Sequence, residues 1–446
     1  MLASLSLLAL PLVSTSTLAV EVHSHNEHNI ARPLSESWYQ HDDHPVHALF
    51  KRAGNTDGTS YAAVGSSAWK AGYPTEWATP TTVPQAWTDA LNSAVSNKVI
   101  PDVPVAKVDT SGADGSGVPT YPAGNDPNSP SVCSASYQCR IPGDVWDAPN
   151  GYVALSFDDG PTSLQLLKAS DGLSSFLLSQ NQTATHFMIG SNLLDLPDQF
   201  SKAFGQGDDI AVHTWSHPYM TTLTNTQVVA ELGWTIQLIH NSTGGRVPRF
   251  WRPPYGDSDL RTRAIAKEVF GLTTVIWNQD TDDWSLTDTP PGTTQAKINA
   301  SMTTWLTSKT KSPGLVILEH ELSDQSVQAF KNAYPVMKKN NWNVVSLATL
   351  MGNGTGAYLN AETSGSAVTP VGSILNAKNA SLPVSSSSAL RASTAISRST
   401  MSNPTSLSSP SPIPNSKSSN NAAVGRFSTS TIFTLCLCGL LLSLSL

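Results

Sequence analysis

The sequence predicts an α/β domain of parallel strands joined by crossover helices, running from about residue 150 to residue 350. Three observations predict it. Short apolar, β-branched runs alternate with longer amphipathic stretches through this region. Clusters of Asp, His and Arg fall at the ends of the proposed strands, where parallel α/β folds gather their chemistry. Both flanks turn to Ser, Thr, Pro and Gly, so the residues able to bury a core lie in the middle.

The strands expected are Tyr152–Phe157, Ala184–Ile189, Asp209–His213, Arg249–Arg252, Thr273–Trp277, Leu315–His320 and Asn343–Leu347. Between them lie helical patterns over Leu164–Gln180, Asn225–His240, Asp259–Phe270, Thr293–Ser308 and Ser326–Asn340. Periodicity alone does not separate an open doubly wound sheet from a barrel.

The flanks read differently. Residues 1–19 carry an apolar run ending in Thr17-Leu18-Ala19, a secretory signal. Residues 20–52 hold His23, His25, His28, His41, His44 and His47 and end on Lys51-Arg52, the layout of a propeptide that could also trap metal. Residues 53–149 read as an extended arm with one short helix over Trp87–Lys98. Its Trp69, Trp77 and Trp87 either anchor it or stack on sugars, and anchoring is the expectation. Residues 351–425 read as a Ser/Thr-rich stalk, and 426–446 end in an apolar tail. Small residues at 418–423 precede that tail, so a GPI lipid is expected near Ser419, Asn420 or Asn421, with the tail removed.

Sequons at Asn181, Asn241, Asn299, Asn353 and Asn379 fit a secreted, cell-surface glycoprotein. In that setting Cys133 and Cys139 are expected to form a small-loop disulfide. The net charge of −7 argues against nucleic acid as a partner and is compatible with a neutral or cationic glycan.

The chemistry centres on Ser156-Phe157-Asp158-Asp159-Gly160-Pro161. Two neighbouring carboxylates at a strand end need a metal or an Arg to offset their burial. Downstream, His213-Thr214-Trp215-Ser216-His217 sets two imidazoles four apart. That spacing places both on one face of a helical turn, where they can share a metal. Arg252-Pro253-Pro254-Tyr255 supplies a guanidinium. With Asp280-Thr281-Asp282-Asp283-Trp284 and Leu318-Glu319-His320, these stretches resemble, in order, the five motifs of the polysaccharide deacetylase family (NodB-type, carbohydrate esterase family 4), which includes the fungal chitin deacetylases. The resemblance covers residues 150–350.

That resemblance implies an irregular (β/α) barrel and a metal bound by Asp159, His213 and His217. Two His and one carboxylate suit zinc, with cobalt or manganese open. It implies Asp158 as general base oriented by Arg252, and a backbone N–H at Tyr255 for the oxyanion. It implies His320 as general acid and Asp280 orienting it, an assignment that crowding by Asp282 and Asp283 could move to Asp283. Trp284 and Leu318 would line the pocket for the acetyl methyl group. One departure is His186, where the family often has an aromatic residue; it is expected in the core or at the rim, not as a ligand. The function implied is deacetylation of chitin to chitosan by a monomeric enzyme at the plasma membrane or wall. Xylan or peptidoglycan are alternative substrates, and a catalytically silent wall glycan-binding protein is the alternative of another class.

Overall fold

The computed structural model describes residues 56–109, 117–162 and 167–375. The expected signal, His-rich segment, 376–425 part of the stalk, GPI region, tail and Asn379 lie outside the described residues. Among those described, no helix is long and apolar enough to cross a membrane.

Among the described residues eight strands carry the fold: β1 Tyr152–Asp158, β2 Thr185–Met188, β3 Asp209–Val212, β4 Phe250–Trp251, β5 Thr273–Thr274, β6 Gln279–Asp280, β7 Ile317–Leu318 and β8 Asn343–Ser346. Six form a parallel sheet in the order β5-β4-β3-β2-β1-β8, and β6 pairs with β7. The sheet curls into a half-barrel. Bridges Val153–Leu315 and Asp158–His320 bring the β7 chain onto β1, so the second piece meets the first. This is the irregular (β/α) architecture expected. The short β6 escaped sequence reading, and apart from β1 the formal strands are shorter than the runs that announced them.

Alternation along β1 decides what reaches the site. Val153, Leu155 and Phe157 face outward, onto a cluster with Leu173, Leu177, Phe330 and Met337 of the helices Leu167–Ser179 and Asp324–Lys339. Ala154 faces inward with Phe187, Ala211, Phe250, Val275 and Val316. The same period puts Ser156 and Asp158 on the inner face, at the strand's carboxyl end.

The arm is anchored on the barrel by Trp69 and Trp87, as expected, and one boundary differs. The arm holds helices Ser67–Lys70 and Gln85–Ser96 and belongs to the same compact unit as the barrel. Trp69 and Trp87 are buried in it against the helices Asn225–Ser242 and Leu260–Phe270. At the other end, residues 352–375 are not stalk. Tyr358 is fully buried and Ala357, Ala361 and Val368 join the inner cluster. The Ile210 N–H donates to the Tyr358 hydroxyl at 3.0 Å, and the Leu359 N–H donates to the Val247 carbonyl at 2.8 Å. The low-complexity composition hid a segment held mainly by backbone and hydroxyl hydrogen bonds.

Cys133 and Cys139 form the expected disulfide. Arg263 donates to both cysteine carbonyls, tying this loop to the chain that follows Tyr255. Asn181 and Asn353 are exposed and Asn299 is half-buried. Asn241 is half-buried near the end of the helix Asn225–Ser242, and its Nδ2 donates to the Tyr73 hydroxyl at 2.9 Å.

Candidate active site

Asp158 and Asp159 are adjacent in sequence yet do separate things because the backbone turns between them. Asp158 ends β1 on the inner face. Asp159 takes a left-handed φ of 69°, uncommon for a residue with a side chain, and this swings its carboxylate toward β3. The next residue must be small: a Cβ at Gly160 would run into the Glu321 carboxylate.

His213 follows β3 directly. The loop from His213 to His217 is irregular, not the helical turn expected from the spacing. Left-handed residues Thr214 (φ 67°) and His217 (φ 60°) fold it back, so that both imidazoles still meet. A buried carboxylate holds this shape. Glu231 accepts from the Trp215 N–H at 2.7 Å, the Ser216 N–H at 2.9 Å and the Ser216 hydroxyl at 2.6 Å. Nothing in the spacing pointed to Glu231, which sits in the next helix and has no motif of its own.

The result is three convergent ligand atoms. Asp159 Oδ1 lies 3.1 Å from His213 Nε2 and 3.2 Å from His217 Nε2. These residues form a group able to hold a metal ion. The Arg252 carbonyl accepts from His213 Nδ1 at 2.7 Å, which leaves Nε2 as the lone-pair side.

Asp158 turns the other way. Its Oδ1 accepts from Arg252 Nη1 at 2.6 Å, and Arg252 Nη2 donates to Ser156 Oγ at 3.0 Å. The guanidinium is fully buried and lies over the Phe187 ring at 4.3 Å. Asp158 Oδ2 faces His213 Nε2 at 4.0 Å.

His320 reaches the site because β7 runs alongside β1. The Asp158 N–H donates to the Glu319 carbonyl at 3.0 Å, which fixes the register. His320 Nε2 then stands 3.9 Å from Asp159 Oδ2. Its Nδ1 meets Asp283 Oδ1 at 2.6 Å, and its backbone N–H donates to Asp283 Oδ2 at 2.9 Å. The partner is therefore Asp283, not the expected Asp280. Asp282 takes a left-handed φ of 55° that turns the chain between them. Asp280 accepts from the Asp282 N–H at 2.9 Å instead. Burial disfavours the imidazolium, but the Asp283 charge and hydrogen bond, with Asp159 and Asp158 behind them, outweigh it and raise His320 to about 10.

The remaining expected residues are nearby in chain terms. Leu318 is buried on β7, two residues before His320 and so on the same strand face, and half-buried Trp284 follows Asp283. Tyr255 adopts φ 58° in the turn Pro254–Gly256. Its ring meets His217 at 4.6 Å and stacks on Tyr219 at 4.1 Å. Beside Tyr219 opens a cleft of about 670 Å³ lined by Val105, Lys107 and Val108 of the arm.

His186 is buried, as expected, and is not a ligand. It bridges two acids: Nδ1 lies 2.7 Å from Glu321 Oε1 and Nε2 3.4 Å from Asp208 Oδ2. Glu321 thus points away from His320, as strand alternation implied.

The polysaccharide deacetylase family matches residues 147–275. Over 324 residues the chain is 43% identical to chitin deacetylase 3 of Cryptococcus neoformans var. neoformans, covering 71% of this chain and 73% of that one. It is 36% identical over 241 residues to the chitin deacetylase of Amylomyces rouxii, covering 52% and 54%. The solved chitin deacetylase of Colletotrichum lindemuthianum is similar with 20% identity and a TM-score of 0.41, over 47% of this chain and 92% of that one. With its motifs in order on this barrel and a relative matched across most of both chains, this chain belongs to the polysaccharide deacetylase family.

Proposed function

We propose that this protein hydrolyses the N-acetyl groups of N-acetylglucosamine units in chitin, releasing acetate and leaving chitosan. The observation that carries the reading is convergence on one carboxylate. Asp159 faces the Nε2 atoms of two imidazoles through Oδ1 and the Asp283-held imidazole of His320 through Oδ2, with the Arg252-held Asp158 beside it. The curated relatives matched here are named as chitin deacetylases, which supports the substrate.

A divalent cation fits the residues present. Asp159 Oδ1 is buried and makes no hydrogen bond. A buried acceptor without a partner is costly; the Nε2 atoms of His213 and His217 converge on it, and the Nδ1 bond to the Arg252 carbonyl turns the His213 lone pair toward it. Asp159, His213 and His217 would hold the ion, zinc by ligand type, leaving room for water and substrate. Bound there, it would act as a Lewis acid toward the acetyl carbonyl and lower the pKa of water.

The chain's own groups do the rest. Asp158 accepts the proton of the attacking water, and Arg252 on its other oxygen orients the carboxylate. The Tyr255 N–H donates to the acetyl oxygen as negative charge develops there. His320 Nε2 protonates the departing amine, while Asp283 fixes the ring through Nδ1. Trp284 and Leu318 shelter the acetyl methyl group. A signal, a stalk and a GPI lipid would place this activity at the plasma membrane or wall.

The test is acetate release from chitin oligomers by the purified protein, with chelator, after zinc is restored, and in an Asp158→Asn variant. Release that is lost with chelator, regained with zinc and absent in the variant is expected. Release from acetylated xylan but not from chitin oligomers would refute the substrate.

A further inference from the structure

We infer that Trp77 is a sugar-stacking platform on the rim of the active site, binding a ring of the glycan chain away from the one being deacetylated. The inference takes its ligand class from the reading above. Trp77 is the only aromatic among the described large hydrophobic residues that are exposed, at 58%. Its neighbours in the arm behave otherwise. Trp69 and Trp87 are buried, with Trp69 Nε1 donating to Ser242 Oγ at 2.9 Å.

The exposed indole is held in place. Trp77 Nε1 donates to Asp195 Oδ2 at 2.9 Å across the surface. The residue before it is pinned as well: the Glu76 carbonyl accepts from Trp215 Nε1 at 3.2 Å. A third tie comes from Thr79, whose side chain hydrogen-bonds Glu231.

Each anchor belongs to the catalytic end of the barrel. Trp215 lies between His213 and His217, and Glu231 holds their loop. Asp195 ends the short helix Gly190–Asp195, which follows the carboxyl end of β2. One turn earlier in that helix, Asn192 Nδ2 donates to the Asp159 carbonyl at 2.9 Å, and the Gly190 N–H donates to the Thr214 carbonyl at 2.9 Å. Three residues of helix rise only about 4.5 Å. Trp77 is therefore fixed near the metal-ligand loop with more than half of its surface open to solvent.

That combination suits a pyranose. The ring's axial C–H face is apolar and packs on an aromatic face, while its hydroxyls need polar partners at the edge. Exposed Asp195, bonded to the indole N–H, and exposed Glu76, the preceding residue, supply acceptors beside it. A rigid Trp has little rotamer entropy to lose on contact, which is why such residues dominate binding energies.

The test uses the full chain carrying Asp158→Asn, so that ligands persist, and zinc-loaded protein. Chitin oligomers from dimer to hexamer are titrated calorimetrically with Trp77 present and with Trp77→Ala. The expected result is that the longer oligomers bind roughly five- to tenfold more weakly to Trp77→Ala while the dimer is unchanged. Trp77→Tyr should recover most of the loss, and Asp195→Ala, which leaves the ring but frees it, should fall between. Equal weakening at every length, or none at any length, overturns the platform. Acetate release by the unmutated protein is measured on the same oligomers. Length-dependent binding without acetate release would remove the deacetylase reading and keep the platform.

Discussion

Asp283 grips His320 twice, through Nδ1 at 2.6 Å and through the backbone N–H at 2.9 Å. One carboxylate thereby fixes the ring's tautomer, its rotation and the chain that carries it. Asp280, three residues earlier and also acidic, makes no comparable contact. Burial raises Asp280 to about 6, with the Asp282 N–H and the His320 charge only partly offsetting it.

The two acids should therefore separate by mutation. His320 acts as an acid only while protonated, so activity is lost as pH rises through its pKa. Asp283 is the largest influence raising that pKa against burial. Asp283→Asn should cost about 10²-fold in kcat and move the alkaline limb of the pH–rate profile to lower pH. Asp280→Asn should cost only a few-fold and leave that limb in place. The reverse ranking would return the orienting role to Asp280.

Metal binding gives a second prediction with a readout apart from activity. The dialysed protein should take up about one zinc per chain, measured by elemental analysis. Asp159→Ala and His217→Ala should each abolish stoichiometric uptake, since two ligands do not close a catalytic site. Arg252→Met should retain uptake but lose activity by 10²-fold or more, because it removes the partner of Asp158 and leaves the His213 contact, which is made by a backbone carbonyl. Stoichiometric zinc in Asp159→Ala would exclude it as a ligand.

What the sequence made legible and what it hid follow from the physics of each residue. Asp158, His213 and His320 were readable because each ends an apolar run that could only be a buried parallel strand. Glu231 was not, because a carboxylate that acts by gathering backbone N–H groups needs no spacing to a motif. The choice of Asp283 over Asp280 rests on one left-handed residue, Asp282, in a loop with three acids. The His213–His217 pair was found for the wrong reason: the two meet through left-handed turns, not through a helical face.

His186 supports a prediction about pH and stability. Burial opposes its charge, yet Glu321 and Asp208 outweigh burial and raise it to about 10. An unfolded His titrates near 6.5. Between these values the folded state binds a proton that the unfolded state does not, so stability falls as pH rises. The contribution is whole below about 6.5 and is lost as pH climbs through about 10. Thermal unfolding from pH 6 to pH 9.5 should show a decline in Tm that His186→Phe flattens. An unchanged slope in that variant would mean that this His is neutral in the fold.

The C-terminal segment beyond Leu350 yields the last prediction. Tyr358 is fully buried, its hydroxyl accepts from the Ile210 N–H on β3, and it shares a hydrogen bond with Ser364. Asn360 accepts from the Val247 N–H at 2.8 Å and donates to the Gly245 carbonyl at 2.8 Å. Ending the chain at residue 350 would strip these partners and uncover Ala211 and Phe250 beneath them. Such a truncation should fail to give soluble, cooperatively unfolding protein, whereas a chain ending at residue 375 keeps these partners. Tyr358→Phe isolates the polar part: it keeps the ring and orphans a buried N–H, at a cost of about 1–3 kcal/mol in urea unfolding. Unfolding of the 350-residue chain at the same urea midpoint as the 375-residue chain would show that the segment only lies on the barrel and does not complete it.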